Sequence, residues 1–213
     1  MPKEQKQRKI AEKTPSAPRS APLITEAAPA AKAKEDTCAR SLTEGQRAAE
    51  EAISQWFFNE ARQIFVLSGY AGTGKTVLIT HAVKYALHLQ PGEEAVFVAP
   101  TGKAAAVLVR NGTPAGTVHS LIYTIDENDF DVDENGEIIR PDRPRFVRRE
   151  KIDEKIKLII IDEASMVDET LLNDVLAFGV KCLFCGDKAQ LPPVRGENIV
   201  LSHVDLSLIH ISE

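Results

Sequence analysis

Four short apolar runs, each followed by glycine or polar residues, organise the hydrophobic pattern of this chain. They are IFVLS at 64–68, AVFVA at 95–99, LIII at 158–161 and VKCLFC at 180–185. Uninterrupted apolar runs of this length are typical of strands buried on both faces, and stretches with helical spacing lie between them. The pattern predicts an α/β fold, a parallel sheet with helices on both faces, whose ligands bind at the carboxyl ends of the strands.

A helix is predicted ahead of the first strand. Thr43 is a candidate N-cap, and Gln46, three residues later, completes a capping box. Apolar residues from Ala49 to Trp56 then follow at helical spacing. The cap alone accounts for Gln46, and this segment by itself does not establish the alternative, that Gln46 recognises the adenine edge of a nucleotide.

The first 38 residues have a different composition, rich in Ala, Pro, Lys and Glu and without a lasting apolar period. Such a segment buries too little apolar surface to offset its ordering entropy, so we expect a disordered tail at 1–38 and a folded domain at 39–206. The tail is either a weak nucleic-acid tether, through basic residues such as Lys3 and Arg8, or a solvated extension.

A polar insertion is predicted at about 126–150, between the second and third strands. Asp131, Asp133, Asn135, Gly136 and Asp142 approach the spacing of a calcium-binding loop, but nearby prolines exclude the exit helix that such a loop needs. Asn135–Gly136 is better interpreted as a type I′ turn in a polar hairpin.

Composition limits the possible functions. The 213 residues are 43% hydrophobic, no apolar run approaches the roughly 20 residues of a membrane span, and we expect a cytoplasmic protein of a bacterial or phage-infected cell. The net charge is −5, and because residues 1–40 are basic, the remainder is acidic, so any nucleic-acid binding must come from a local groove. Cys182 and Cys185 form a C-x-x-C pair without a second cluster, which favours buried strand cysteines over metal or redox chemistry.

The motif GYAGTGKT at 69–76 fits the phosphate-binding pattern G-x-x-x-x-G-K-[ST] between a predicted strand and a helix. Its glycines let the backbone approach a polyphosphate, Lys75 adds charge near the β- and γ-phosphates, and the Thr76 hydroxyl is a ligand for Mg²⁺. The alternative is an ordinary glycine-rich turn. The predicted nucleotide contacts here are Gly69, Ala71, Gly72, Thr73, Gly74, Lys75 and Thr76.

Two carboxylates end the third strand, and a polar segment ends the fourth. Asp162 is a candidate Mg²⁺ ligand, and Glu163 a candidate base for the water that attacks ATP. After the fourth strand, Asp187 is a candidate cofactor contact and Gln190 a candidate γ-phosphate sensor. The predicted cofactors are therefore ATP and Mg²⁺.

The second strand leads into a predicted helix that begins at Thr101 or Gly102 and ends at Asn111 and Gly112. A helix start at the carboxyl end of a strand is a natural anion site, so Thr101, Gly102 and Lys103 could hold a backbone phosphate, although an ordinary turn explains them equally well. Thr117 is a possible cap of the next short element, and His119 alone is more typical of a core histidine.

The ordered motifs LTEGQ, GYAGTGKT, APTGKAA, TVHSLI, IIIDEASMVD and GDKAQLPPV resemble the first RecA-like motor domain of RecD-like DNA helicases, in the B branch of superfamily 1. The resemblance implies a RecA-like P-loop NTPase fold and an ATP-dependent helicase that moves 5′ to 3′ on single-stranded DNA. It also implies an adenine contact at Gln46, DNA contacts at Pro100, Thr101, Gly102, Lys103, Thr117 and His119, and a coupling role for Gln190.

A complete motor of this family needs a second motor domain, which supplies an arginine to the γ-phosphate. We expect that domain from a longer form of the chain, and expect this fragment alone to hydrolyse ATP poorly. The ending at 207–213, SLIHISE within the longer run LSLIHISE, is either a translated adapter sequence or a natural strand cut short. The alternative functions are a PhoH-like ATPase without unwinding activity and a nucleotide-gated binding module.

Overall fold

The computed structural model describes residues 42–70, 72–126 and 145–187, and the backbone of three short strands at 131–132, 138–139 and 206–211. The main sheet has six strands: β1 (Ile64–Gly69), β2 (Ala95–Ala99), β3 (Ala115–Thr117), β8 (Leu158–Ile161), β9 (Lys181–Gly186) and β10 (Leu206–Ile211). Their order is β10-β1-β9-β8-β2-β3, and every neighbouring pair is parallel. The four predicted strands are all present.

Helices cover both faces of this sheet, as predicted. On one face, α1 (Glu44–Phe57), α2 (Lys75–His81) and α3 (Gly102–Arg110) pack in a core that includes Phe65, Leu67 and Phe97. On the other face, α4 (Val118–Ile122) and α5 (Glu169–Leu176) pack around Val66 and Val98. Neighbouring residues of a strand point to opposite faces, so a strand with two covered faces must be apolar throughout.

The predicted helix ends are confirmed where the cap geometry is clear. Thr43 caps α1, and the reciprocal bonds with Gln46 form a capping box. Thr101 caps α3 through the main-chain N–H of Ala104, and Asn111 ends that helix. A side chain that satisfies one of the free N–H groups in the first turn stabilises a helix, typically by about 1 kcal/mol.

The structure also contains local features that the hydrophobic pattern does not predict. After α2 the chain widens into a π-helix at Ala82–Ala86, and a 3₁₀ turn at Ala164–Met166 precedes α5. The short strand β3 extends the sheet beside β2. At the opposite edge, β10 pairs with β1, with Ile209 opposite Leu67.

The insertion begins and ends in a two-stranded antiparallel ribbon of β4 (Tyr123–Ile125) and β7 (Phe146–Arg148). Within it, β5 (Asp131–Val132) and β6 (Ile138–Ile139) also pair antiparallel. This pairing is consistent with the predicted hairpin, although its turn at 135–136 and most of the calcium-like spacing lie outside the described residues, as does the predicted tail. Within the part of the chain that the structure describes, no helix is both long and apolar enough to cross a bilayer.

Candidate functional site

The carboxyl ends of five parallel strands lie side by side along one edge of the sheet. Across this edge the order is β1, β9, β8, β2 and β3, so the phosphate-loop motif, the segment after Gly186, the Asp162–Glu163 pair, Pro100 and Thr117 follow one another. Adjacent strands lie about 4.8 Å apart, so the ends of β1 and β2 are separated by roughly 14 Å along the edge. The predicted nucleotide residues lie toward one end of this row and the predicted DNA residues toward the other.

Side chains of the phosphate-loop motif donate hydrogen bonds to main-chain oxygens of the same loop. The ammonium of Lys75 donates to the main-chain oxygens of Gly69 and Tyr70, both at 2.7 Å, and the Thr73 hydroxyl also donates to the Tyr70 oxygen at 2.9 Å. Gly72 and Gly74 have φ values of 87° and 76°, a region that favours glycine. Thr76 follows Lys75 in the first turn of α2, whereas Ala71 lies outside the described residues.

Gln46 connects the start of α1 to this loop. Its side-chain nitrogen donates to the main-chain oxygen of Thr73 at 3.2 Å, while its side-chain oxygen accepts from the Thr43 N–H at 3.1 Å. The predicted cap is therefore confirmed, and the same side chain lies against the loop. A Cβ at Gly74 would lie 3.1 Å from the Gln46 amide nitrogen, so a side chain at 74 would require Gln46 to shift by a few tenths of an ångström, and the φ of 76° also favours glycine there.

The end of β8 presents the two predicted carboxylates differently. Asp162 is half-buried, and its main-chain N–H donates to the Val98 oxygen of the neighbouring strand at 3.0 Å. Glu163 is exposed and has φ 55°, ψ 46°, a left-handed conformation that is unfavourable for a residue with a side chain. Its N–H donates to the Asp162 carboxylate at 3.0 Å. Strained residues of this kind cluster at functional sites.

Cys185 is a residue of this site whose position the sequence pattern does not reveal. It belongs to β9, is the register partner of Leu67 on β1, and is 1% exposed. β9 lies between β1, which leads to Lys75, and β8, which leads to Asp162. Burial raises the pKa of this thiol well above its usual value, and the nearby Asp162 and Glu163 carboxylates act in the same direction, whereas Lys75 lowers it.

The cysteine prediction itself is confirmed, because Cys182 and Cys185 are both buried residues of β9. Burial raises the pKa of Cys182 to about 12. The two cysteines are three positions apart on β9, so they point to opposite faces of the sheet, and Cys185 is the one nearer the carboxyl end of the strand.

Of the two candidates beyond β9, the structure describes one. Asp187 is half-buried and directly follows the strand, at the same edge as Asp162. Gln190, the predicted sensor, lies outside the described residues.

The predicted DNA residues come together at the ends of β2 and β3, where Ala99 and Thr117 are register partners. Gly102, Lys103 and His119 are exposed, while Pro100, Thr101 and Thr117 are half-buried. The hydroxyls of Thr101 and Thr117 accept from the N–H groups of Ala104 and Ser120, respectively. Both threonines therefore have a structural role as helix caps, which any test of a binding role must take into account.

His119 leads into a cluster that joins the insertion to α5. Its ring lies 5.4 Å from that of Tyr123, and the Tyr123 hydroxyl donates to Asp174 at 2.5 Å. Burial, with the Asp174 hydrogen bond, raises the pKa of Tyr123 to about 12. Arg148 contacts the same carboxylate at 3.6 Å and lies over the Phe178 ring. The histidine is exposed, contrary to the core position that a lone histidine would suggest.

Metal binding at this edge would need oxygen ligands from more than protein side chains. Among the described residues, no three His, Cys, Asp or Glu side chains cluster as a metal site. The Asp162 carboxylate and the Thr76 hydroxyl are the kinds of ligand that Mg²⁺ takes when phosphates and water complete its shell. The donor set therefore fits Mg²⁺ held together with a nucleotide.

These features define a nucleotide-binding P-loop domain built on a parallel sheet. A family model described as "AAA domain" matches residues 41–204, and the chain belongs to this family. Its relatives include DNA helicases, so it is a helicase-like P-loop domain of the superfamily 1 type.

Two curated relatives illustrate the similarity. The chain is 36% identical over 140 residues to the uncharacterised protein MJ1519 of Methanocaldococcus jannaschii, covering 62% of this chain and 12% of that protein. It is 33% identical over 139 residues to the ATP-dependent DNA helicase PIF1 of Saccharomyces cerevisiae, covering 60% of this chain and 15% of that protein. The chain thus spans a small part of the length of either relative.

Among solved structures, the large terminase of a thermophilic bacteriophage aligns with 81% of this chain and 45% of its own, with a TM-score of 0.45 and 14% identity. DnaA from Aquifex aeolicus aligns with 80% of this chain and 48% of its own, with a TM-score of 0.41 and 16% identity.

Proposed function

We propose that this domain is the first motor lobe of an ATP-dependent DNA helicase of the RecD-like type, which couples ATP hydrolysis to 5′ to 3′ movement on single-stranded DNA. The observation that carries the proposal is the strand order, in which β1 and β8 flank β9, so that Lys75 after β1 and Asp162 and Glu163 after β8 lie at the same ends of neighbouring parallel strands. Phosphate-directed charge, a metal-binding carboxylate and a candidate base are the three protein functions that ATP hydrolysis in P-loop enzymes requires.

Nucleotide binding in this proposal replaces contacts within the loop. Lys75 exchanges the Gly69 and Tyr70 oxygens for phosphate oxygens, and the N–H groups of Gly72, Thr73 and Gly74 face the anion. Gln46, whose side chain contacts Thr73, is the proposed contact for the adenine edge, and Ala71 and Asp187 belong to the same proposed cofactor contacts.

Hydrolysis in this proposal uses the two carboxylates in different roles. Asp162 and Thr76 hold Mg²⁺, which neutralises charge on the phosphates when it is bound with ATP. Glu163 orients the attacking water and takes its proton, since it is exposed at the strand end and adjacent to Asp162. Gln190 senses the γ-phosphate and couples its loss to movement on DNA.

Single-stranded DNA lies, in this proposal, across the ends of β2 and β3. Lys103 contributes charge, the N-terminus of α3 offers main-chain N–H groups at Gly102, and His119 offers an exposed ring for base stacking. The roughly 14 Å between β1 and β2 leaves room for nucleotide and DNA to bind side by side.

A second motor domain completes the site in this proposal. Hydrolysis in motors of this type uses an arginine from outside the lobe, and DNA binds between two lobes. The helicase PIF1 is much longer than this chain, which covers 15% of it. This lobe alone would therefore bind ATP and turn it over slowly.

The proposal is tested with a longer gene product that contains this domain. We expect ATPase activity that single-stranded DNA stimulates, and unwinding of duplexes with a 5′ tail but not with a 3′ tail. DNA-independent ATPase activity from a homo-oligomer would instead favour the PhoH-like alternative. Full function after Glu163→Gln would favour a nucleotide-gated binding module.

DNA binding is tested separately with Lys103→Ala and His119→Ala. Each should weaken binding of a single-stranded oligonucleotide several-fold while leaving ATP affinity unchanged. Lys84→Ala, an exposed cation on the π-helix, is the matched control. For the capping threonine, Thr101→Ser keeps the cap oxygen, so loss of DNA binding in Thr101→Ala alone would indicate a structural effect.

A further inference from the structure

A cavity of about 190 Å³ lies at the amino ends of the strands, whereas the candidate nucleotide site lies at their carboxyl ends. Its floor is formed by Val96, Leu121 and Ile156, all buried, with the half-buried Ile152 beside them. Val96 is near the amino end of β2, and Ile156 lies two residues before the start of β8. The length of a five-residue strand, roughly 16 Å, therefore separates this cavity from the candidate catalytic edge.

Arg149 gives the cavity its chemistry. It lines the cavity, it is half-buried, and its Nε is buried without a hydrogen-bond partner among the described residues. The Nε atom itself is shielded, but the guanidinium group has no ion-pair partner among the described residues. A guanidinium group matches the geometry of a carboxylate, so the two terminal nitrogens of Arg149 are the atoms that a carboxylate ligand would contact.

The charges around the cavity favour an anion by a small margin. Arg149, Lys151 and Lys155 face two carboxylates, Glu93 and Asp153. Within the described part of the chain, none of the three cations has an ion-pair partner. The Asp153 carboxylate already accepts from the Lys155 N–H at 3.0 Å. Three cations against Glu93 and Asp153 leave the lining with a formal charge of +1, which favours a ligand with a single negative charge.

Independent hydrogen bonds hold the walls in place without a ligand. The Arg149 N–H donates to the Ile122 oxygen at 2.8 Å, and the Ile156 N–H to the Asp153 oxygen at 3.0 Å. On the opposite wall, the Gly92 N–H donates to the Ala95 oxygen at 2.8 Å. The cavity is thus formed in advance, as small-molecule sites usually are.

We propose that this cavity is a binding site for a small monocarboxylate with an aromatic or branched aliphatic body, whose carboxylate pairs with Arg149. An apolar cavity of about 150 Å³ holds benzene, so this volume fits one ring and a carboxylate. The apolar floor receives the body of the ligand, and the guanidinium group receives its charge. The site is separate from the nucleotide edge and does not depend on the proposed function.

The test is a titration of the isotope-labelled chain with phenylacetate, in which NMR measures the chemical shifts of the backbone amides. We expect saturable shifts at residues 92–96 and 149–156, with a dissociation constant of roughly 1 mM, which is reasonable for ten non-hydrogen atoms. Benzyl alcohol, which has the ring without the charge, should bind at least about 10-fold more weakly, as should acetate, which lacks the ring.

Arg149→Met, which keeps the aliphatic stem, should lower phenylacetate affinity at least about 10-fold. Arg145→Met, outside the cavity lining, is the matched control and should bind phenylacetate normally. The dispersion of amide chemical shifts in the same samples checks that each variant is folded. Absence of saturable shifts in the unmodified chain, or equal affinity for phenylacetate and benzyl alcohol, would overturn the proposal even if Arg149→Met did not fold.

Discussion

The ammonium of Lys75 donates to the main-chain oxygen of Tyr70 at 2.7 Å, within the loop that the lysine is proposed to present to a phosphate. The Gly69 oxygen accepts from the same ammonium at the same distance. The loop therefore stabilises its own lysine, and in the proposed function a nucleotide would exchange these two carbonyl acceptors for phosphate oxygens, which carry more charge.

Replacing Lys75 tests this exchange. Lys75→Ala should weaken ATP binding about 100-fold, because a charge-assisted hydrogen bond contributes up to about 3 kcal/mol. Fluorescence titration with a labelled ATP analogue measures the effect. Lys84→Ala should leave the affinity unchanged, and an unaltered affinity in Lys75→Ala would exclude the proposed role of Lys75.

Glu163 allows stability and catalysis to be separated. Glu163→Gln should lower the hydrolysis rate at least about 100-fold without weakening ATP binding, because it removes the base and keeps the shape. Glu163→Gly should do the same and also raise the free energy of unfolding by roughly 0.5–1 kcal/mol, since glycine relieves the left-handed strain but is more flexible when unfolded.

Urea unfolding and single-turnover hydrolysis measure these two effects. Glu169→Gln, at an exposed position in the first turn of α5, should retain hydrolysis. If Glu163→Gly were clearly less stable than the unmodified chain, the strain interpretation would be wrong.

The dual contacts of Gln46 predict a difference between two variants at the start of α1. Thr43→Ala removes the cap and should destabilise the domain by about 1 kcal/mol without changing the preference for ATP over GTP. Gln46→Ala removes one bond of the capping box and the contact with Thr73, so it should lower both stability and the preference for ATP.

Thermal unfolding and competition titrations with ATP and GTP distinguish the two variants. An unchanged nucleotide preference in Gln46→Ala would restrict this residue to its capping role.

The raised pKa of Tyr123 predicts that the free energy of unfolding changes at high pH. Its pKa rises from about 10 in the unfolded chain to about 12 in the folded one, so the folded state binds the proton more tightly. The contribution is fully present below about pH 10 and is lost as the pH rises toward 12, because the unfolded tyrosine ionises first. The free energy of unfolding should therefore fall with pH in this window.

Tyr123→Phe isolates this effect from other groups that titrate at high pH. The difference in the free energy of unfolding between the unmodified chain and Tyr123→Phe should decrease between about pH 10 and 12. Tyr85→Phe, at an exposed position on the π-helix, is the control and should show no such change. A difference that stays constant with pH would mean that the Tyr123 hydroxyl does not lose its proton more easily on unfolding.

The hydrophobic pattern and local motifs determined most of the elements. Short continuous apolar runs bounded by glycine or polar residues are typical of strands with two covered faces, so β1, β2, β8 and β9 and the parallel sheet were predictable. Thr43 and Thr101 identify helix starts because their hydroxyls satisfy nearby N–H groups, which is a local interaction. The glycines and lysine at 69–76 likewise identify a phosphate loop through short-range geometry alone.

Only the tertiary structure decided which of these elements are neighbours. The order β1-β9-β8-β2-β3 places Cys185 between Lys75 and Asp162 and aligns Ala99 with Thr117, and no local pattern encodes either relationship. The left-handed Glu163 and the bonds of Lys75 to its own loop are local geometries that the hydrophobic pattern does not report, whereas the cavity around Arg149 also arises from contacts between distant segments. Such contacts depend on packing across the whole sheet, whereas a periodic pattern reports only which face of an element is buried.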